Sequence, residues 1–165
     1  MTDPKVYVAC LSSYNAGRLF GEWIPADQGE DELGDRVQAM LARSPEPNAE
    51  EFRIDDHEGF GGINVGGESL DVVARLGELI VEHGADIVSG AYDYGADSIT
   101  DYISNAYMGH YDSEADYAES CFDTSTLDKF LGNYIDWTRV ARDMFIDSVH
   151  STPSDNGGVH VWLRI

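Results

Sequence analysis

The chain has 165 residues, and its 31 acidic side chains against 10 basic ones give a formal net charge of −21 at pH 7. So strong a negative charge opposes binding to nucleic acid and to anionic membranes. It favours binding to a basic partner, or solubility at high salt concentration. A hydrophobic content of 42% is enough to build a folded core, which excludes a disordered acidic tail.

Cysteine usage and the N-terminus indicate a cytoplasmic protein. The two cysteines, Cys10 and Cys121, are spaced like neither a metal site nor a redox motif, so we expect reduced thiols. The N-terminus has no basic region followed by an apolar run, and no secretory signal is expected. No apolar run approaches the ~18 residues that a membrane span needs, so no membrane partner is expected.

The first third of the chain predicts a small antiparallel sheet with one helix. Residues 5–11 and 18–24 have the composition of strands, with a polar loop at 12–17 between them. Residues 31–43 place apolar side chains at helical spacing, and residues 51–55 are a candidate third strand.

A glycine-rich segment at residues 58–67 predicts a hinge or a long loop before a helical region. It lacks a lysine and is flanked by carboxylates, which argues against a phosphate-binding loop. A helix is predicted at residues 69–82, where apolar side chains recur at helical spacing. Two short helices are predicted near residues 86–92 and 97–106.

The last third alternates strand and helix signals. We predict a strand at 107–111, a helix at 113–121 opened by Ser113, a helix at 137–149 capped by Asp136, and a strand at 159–165. Residues 151–158 are predicted to form a turn. The whole chain therefore belongs to the α+β class.

One acidic segment, residues 93–123, is the candidate partner-binding surface. It contains no Lys or Arg, and three of its carboxylates are spaced by four residues, so that a helix would stack like charges at a cost of roughly 0.2–0.5 kcal/mol per pair. Tyrosines run through the segment, which indicates a folded surface. The predicted partner-binding carboxylates, with Asp86 just upstream, are Asp86, Asp93, Asp97, Asp101, Asp112, Glu114, Asp116, Glu119 and Asp123.

Motifs for catalysis or cofactor binding are not found in the sequence. None of the five histidines has a second ligand at zinc spacing, and Tyr117 stands where a calcium loop beginning at Asp112 would need glycine. No Gly-x-Ser-x-Gly elbow is present. We predict a protein that is not an enzyme and that has no metal site and no cofactor.

The ordered motifs of the chain resemble the ArdA antirestriction proteins. They are Y-V-A-C-L-S-S-Y-N-A-G-R-L-F-G at residues 7–21 with Trp23, E-E-F-R-I-D-D-H-E-G-F at 50–60, E-S-L at 68–70, Y-M-G-H-Y-D-S-E-A-D-Y-A-E at 107–119, and Y-I-D-W-T-R-V-A-R-D-M at 134–144. Gly66 and Gly67 stand where larger residues are expected, and Trp137 where tyrosine is expected.

This resemblance implies an elongated chain of three small modules. They are an N-terminal module at 1–61 with a small sheet and a helix, a central helical module at 62–106, and a C-terminal α+β module at 107–165 that forms a homodimer. It also implies a protein of mobile genetic elements that mimics B-form DNA. Such a protein occupies the DNA-binding groove of type I restriction–modification enzymes and binds no nucleic acid itself.

The residues of the last third favour it as the dimer interface. It combines bulky apolar side chains with four of the ten basic residues, and two copies of a −21 chain need their least negative, most apolar surface to associate. The predicted interface residues are Tyr134, Trp137, Val140, Ala141, Met144 and Phe145. Two alternative functions stay open: an acidic binding protein from a salt-adapted proteome, and an acidic hydrolase.

Overall fold

A computed structural model of the chain describes residues 3–94, 98–126 and 129–165. It divides into two compact units, Met1–Ile99 and Thr100–Ile165. Both are built from helices and a three-stranded antiparallel sheet, which confirms the α+β class. The first unit contains the predicted N-terminal module and most of the predicted central one; the division into three modules stays a prediction.

In the first unit, helices alternate with the strands of an antiparallel sheet of order β2-β1-β3. The glycine-rich segment that precedes α3 packs inward, with Phe60, Ile63 and Val65 buried. The elements are β1 (Lys5–Cys10), α1 (Leu11–Asn15), β2 (Gly21–Pro25), α2 (Glu30–Leu41), β3 (Phe52–Glu58), α3 (Leu70–His83), α4 (Ala85–Ala91) and a 3-10 turn (Tyr92–Tyr94).

The polar loop predicted at residues 12–17 is wrong in its first part, which forms the short helix α1. A polar sequence folds here because its hydroxyls find partners inside the unit. Ser13 is fully buried, and its Oγ lies 3.0 Å from Oγ of Ser44. The strand predicted at 18–24 begins only at Gly21.

Helix α2 packs against β1 and β2, and α3 packs against α2. Val6 and Val8 of β1 point into the core and are fully buried, as their two-residue spacing requires. The helices contribute the rest of the apolar layer from residues that recur every three or four positions: Leu33, Val37, Met40, Val73, Leu76, Leu79 and Ile80.

A single glycine sets how closely α3 approaches the sheet. A Cβ atom at Gly77 would lie 2.0 Å from the carbonyl oxygen of Ala26, just after β2. This distance is far inside van der Waals contact, so backbone lies directly against backbone at this crossing. Only glycine permits this approach without a shift of the main chain.

We expect Gly77→Ala to destabilise the protein by about 1–3 kcal/mol or more, because the added methyl group overpacks the α3 crossing. The matched control is Gly34→Ala in α2, where an added Cβ meets nothing within 4 Å. That change should stabilise the protein by about 0.5–1 kcal/mol, as alanine does in a helix interior. Urea unfolding of the two variants measures both, and equal effects would contradict the close approach.

The second unit places two helices, α6 and α8, against one face of a sheet of order β4-β6-β5. Val149, Val161 and Tyr117 form the centre of its core. Its elements are α5 (Ile99–Ala106), which begins at the unit boundary, β4 (Tyr107–Tyr111), α6 (Glu114–Ser120), a 3-10 turn (Thr124–Thr126), α7 (Lys129–Gly132), α8 (Trp137–Asp147), β5 (Val149–Pro153) and β6 (Val159–Leu163).

Strand β5 was not predicted from the sequence. The helix expected to run to residue 149 ends at Asp147, and part of the expected turn is the strand Val149–Pro153. Val149 is buried opposite Leu163, and β5 pairs with β6 along its whole length. This mostly polar strand is stable because it pairs with the edge of β6.

An aromatic cluster covers the opposite face of this sheet. Trp162 is fully buried, and its ring stacks on Tyr102 of α5 with centroids 5.5 Å apart. His150 of β5 stacks on the same indole at 6.4 Å. Burial lowers the pKa of His150, and the positive charge of Arg164 lowers it further.

We expect the second unit to lose stability as the pH falls below about 6.5, the ordinary histidine pKa. The folded state binds the proton on His150 less tightly than the unfolded chain does, so protonation favours unfolding. Because carboxylates also gain protons in acid, the informative measurement compares the protein with His150→Gln at pH 7.5 and pH 5.5. The variant should lose less stability over this interval, and an identical loss would contradict the assignment.

Candidate partner-binding surface

Every Lys and Arg of the first unit forms an ion pair with a carboxylate of the same unit. These ion pairs are partly exposed, so each adds only ~0–1 kcal/mol to stability. Their larger effect is on the surface, where they leave none of the six cations free. The pairs are Lys5–Glu58 (2.9 Å), Arg18–Glu46, Arg36–Glu32 (3.1 Å), Arg43–Glu22 (2.7 Å), Arg53–Asp55 and Arg75–Glu78 (3.6 Å).

Carboxylates greatly outnumber these cations. Residues 1–99 contain 20 Asp and Glu against 6 Lys and Arg, a formal charge of −14. The remaining residues, 100–165, contain 11 against 4, a formal charge of −7. The negative potential of the first unit therefore comes from acids that its own bases cannot neutralise.

Helix α2 exposes an acidic cluster that the sequence analysis did not select. Glu30, Asp31, Glu32 and Asp35 are all exposed, while Leu33 faces the core. The positive end of the helix dipole stabilises the acids of the first turn, although Asp35 lies beyond it. The run E-D-E-L-G-D at residues 30–35, which has no base before Arg36, could have predicted this acidic cluster from the sequence.

The predicted acidic residues of the first unit differ in exposure. Asp93 is exposed in the 3-10 turn that follows α4. Asp86 is half-buried, and its Oδ1 accepts a hydrogen bond from the backbone N–H of Ile87 at 3.0 Å. Asp97 lies outside the described residues.

Four of the predicted acidic residues lie together at α6. Ser113 caps this helix, and its Oγ accepts from the backbone N–H of Asp116 at 3.2 Å, as the sequence predicted. Burial of Tyr117 turns the opposite side of α6 outward, which leaves Asp116 and Glu119 exposed. Asp112 is exposed just before the helix; Glu114 is half-buried and accepts from Oγ of Ser151 at 2.6 Å.

The two remaining predicted carboxylates, Asp101 of α5 and Asp123, are also exposed on the second unit. Hydrogen bonds from the side chain and the backbone N–H of Ser125 lower the pKa of Asp123 and hold it ionised. The structure thus gathers Asp112, Glu114, Asp116 and Glu119 at one element and distributes the others over both units.

Residues of the predicted dimer interface fall into two groups. Tyr134 is 72% exposed, and Trp137 and Val140 line a small cavity of about 300 Å³ with Phe122 and Ile135. Ala141 is 2% exposed, and Met144 and Phe145 pack against the core of the second unit. The first group is accessible for contact with a partner. The second mainly holds α8 in place, and its role in a dimer stays a prediction.

A family comparison bears on these surfaces. The family model described as "Antirestriction protein (ArdA)" matches residues 6–156 of the chain. The chain belongs to the ArdA family. No curated protein sequence matches it.

In the described part of this ArdA family member, no three His, Cys, Asp or Glu residues are arranged to hold a metal ion, and no helix is long and apolar enough to cross a membrane. The pKa of Asp71 is lowered by a hydrogen bond from the side chain of Ser69.

Its cysteines lie in different units, and both are free thiols. Cys121 is exposed, whereas Cys10 is fully buried. Burial of Cys10 opposes ionisation, but hydrogen bonds from Ser12, Ser44 and Ser13 outweigh it and lower the thiol pKa to about 6. The sulfur atom of Cys10 is therefore enclosed by the first unit and faces the hydroxyl groups of these serines.

Proposed function

We propose that this ArdA protein mimics B-form DNA and blocks the DNA-binding groove of type I restriction–modification enzymes in the cytoplasm. The observation that supports it best is the excess of acids in the first unit, which has a formal charge of −14 and whose six bases are all paired with acids of the same unit. The proposed contact residues are the exposed members of the predicted acidic set, extended by Glu30, Asp31 and Asp35 of α2.

The charge has the magnitude that mimicry needs. Duplex DNA carries one charge per ~1.7 Å of helix axis, so 21 charges correspond to roughly 36 Å, or about ten base pairs. A homodimer would match about twenty base pairs by charge. This is the scale of a bipartite recognition site.

The proposed mechanism is ionic competition. A DNA-binding groove presents Lys and Arg to phosphates, and carboxylates can occupy the same positions. Binding would release the counterions that both surfaces hold, which is the main source of affinity for DNA itself. Because carboxylates carry no base edges, the inhibitor would recognise the shape and charge of the groove and not a sequence.

The main competing function is that of an acidic binding protein adapted to high salt. Only Lys5 and Lys129 are lysines, which fits that alternative as well. The two functions differ in what each carboxylate does. Salt adaptation needs only total charge, whereas mimicry needs particular carboxylates at particular places.

We expect the protein to compete with DNA for a purified type I methyltransferase core, with an apparent affinity that falls steeply as salt rises. A log–log slope of several units is expected, because each neutralised charge contributes somewhat less than one unit for DNA. Fluorescence anisotropy of labelled DNA across a salt series measures this slope. A flat dependence would exclude an ionic mimic.

Two charge-matched variants of the second unit separate mimicry from bulk charge. Asp101→Asn with Glu119→Gln removes two exposed carboxylates of the predicted surface, and Asp143→Asn with Asp147→Asn removes two exposed carboxylates of α8. The first pair should weaken competition by at least several-fold more than the second. Equal losses would favour the salt-adapted protein.

We also propose that the protein forms a homodimer through its C-terminal part, with Tyr134 and Val140 among the contacts. Replacing either by Asp should give a folded monomer, because a buried charge at an apolar interface has no compensating partner. Tyr134→Asp is the safer variant, since Tyr134 is 72% exposed and its replacement leaves the core intact.

Val81→Asp is the matched control for these interface variants. Val81 is 61% exposed on α3 of the first unit, so this change adds the same charge to an apolar position elsewhere. Sedimentation would report the mass and circular dichroism the fold. If Val81→Asp dissociates the dimer while Tyr134→Asp and Val140→Asp do not, the interface lies in the first unit.

A further inference from the structure

The sheet of the first unit has a second face, turned away from its buried valines, that carries aromatic rings and charged groups. Tyr7 of β1 lies between Trp23 of β2 and Asp56 of β3, so the three side chains form one row across the sheet. Lys5 and Glu58 pair in the next row. Trp23 is 38% exposed, and both carboxylates are exposed as well. We call these five residues the outer sheet face.

Two aromatic rings on this side of the sheet each hold a cation of the chain itself. Nζ of Lys5 lies 4.9 Å from the ring centroid of Trp23 and 2.9 Å from a carboxylate oxygen of Glu58. The guanidinium carbon of Arg53 lies 4.1 Å from the ring centroid of Tyr14, and the same guanidinium pairs with a carboxylate two residues along β3. The negative face of a ring attracts a cation, and a nearby carboxylate adds to this attraction. Other Lys or Arg side chains would fit the same sites.

Trp23 is held in a position from which it can contact a partner. The Tyr7 ring meets its indole edge to face, with centroids 5.6 Å apart and an angle of 62° between the rings. Tyr7 in turn lies over Gly21, where an added Cβ would come within 3.1 Å of the tyrosine ring. A supported indole loses little side-chain entropy on binding, and Trp and Tyr are enriched among the residues that contribute most to interface energies.

Charge decides which kind of partner fits this surface. The unit that carries Asp56 and Glu58 has a formal charge of −14, so it repels phosphate, nucleic acid and anionic membranes. Ammonium and guanidinium groups are attracted both by the carboxylates and by the ring of Trp23. A protein groove that binds DNA presents these groups to the phosphates. The outer sheet face is therefore complementary to such a groove through a second kind of interaction besides the ion pair.

We propose that the outer sheet face is a docking site for Lys and Arg side chains of the type I restriction–modification enzyme, which replace Lys5 over the ring of Trp23. This inference rests on the proposed function and adds an aromatic contact to its carboxylates. In the free protein Lys5 occupies the ring and Glu58, and in the complex it gives way to a cation of the enzyme. The exchange is favourable because cation–π attraction is stronger at a covered interface than on an open surface.

The test is the competition with labelled DNA for the methyltransferase core, repeated with Trp23→Leu over a salt series. Leucine keeps an apolar side chain on β2 but has no π-face, so competition should weaken by about three- to tenfold. The log–log salt slope should stay the same, because loss of the ring does not change the number of ions released. Circular dichroism and urea unfolding verify that the variant is folded.

Two further variants serve as references for Trp23→Leu. Asp56→Asn removes a carboxylate of the same face, so it should lower the salt slope by somewhat less than one unit. Val81→Ala removes apolar surface from a residue of α3 that is 61% exposed. It should leave competition within about twofold of the original, because Val81 lies outside the outer sheet face.

A second pair of variants tests the exchange of Lys5 without a change in the ring. Lys5→Gln frees Trp23 and Glu58 and makes the chain more negative by one charge. Arg43→Gln makes the same charge change, but Arg43 pairs at 2.7 Å with Glu22, which projects on the core side of the sheet. Lys5→Gln should strengthen competition at least about threefold more than Arg43→Gln at the same salt concentration.

Failures of this inference and of the proposed function can be told apart. If the original protein does not compete with DNA, the proposed function is wrong and this inference falls with it. If it competes, but Trp23→Leu acts no more strongly than Val81→Ala or Lys5→Gln no more strongly than Arg43→Gln, mimicry stands and the docking site is overturned. A lower mass of Trp23→Leu in sedimentation would assign the outer sheet face to contacts between copies of the chain, which would also overturn it.

Discussion

Repulsion among carboxylates is the constraint on which the rest of this structure depends. A chain with 31 acids and 10 bases must fold although its charges favour expansion. In the first unit each base is placed against an acid, which relieves the repulsion locally. Below that surface, both units rely on apolar and aromatic cores, such as the fully buried Leu76 and Trp162, whose packing is independent of charge.

Some carboxylates stabilise the fold because they accept hydrogen bonds at the start of a helix. The Asp136 side chain accepts from the backbone N–H of Arg139 at the start of α8, and Asp116 is part of the cap of α6. Here a negative charge lies near helix N–H groups that need an acceptor. Asp136 and Asp116 are exposed although they also stabilise helix ends, so an exposed carboxylate can serve the fold as well as a partner.

Strong periodic signals made much of the fold predictable. The alternation in β1 and β6, the stripe of α3 and the caps Ser113 and Asp136 were all read from the sequence. Strand β5 was missed because its stability comes from pairing with β6 and not from its own polar residues. Helix α1 was missed because its serines are satisfied by a distant residue, Ser44, whose position the sequence does not reveal.

The acidic character of the surface was predictable from the sequence, but the positions of the exposed acids were less so. Composition gives the net charge, but the exposed acids of α2 were not predicted, because the longer segment at 93–123 has no base at all and dominates the charge pattern. Periodicity also fails to separate core residues from exposed ones in α8. Ala141 and Ile146 are both apolar, yet one is 2% and the other 63% exposed. Only the packing of α6 and the sheet decides which side turns inward.

Salt should act on this protein in two opposite ways. Ions screen the repulsion within the folded chain, which favours compactness, and they also screen the attraction between its carboxylates and a basic groove. Apolar cores and hydrogen-bonded caps are screened much less, so high salt would leave the fold intact and weaken the complex. In a protein adapted only to high salt, screening would stabilise the fold, and there would be no ionic complex to weaken. A mimic of DNA must therefore fold at an ionic strength that is still low enough for its carboxylates to bind a basic groove.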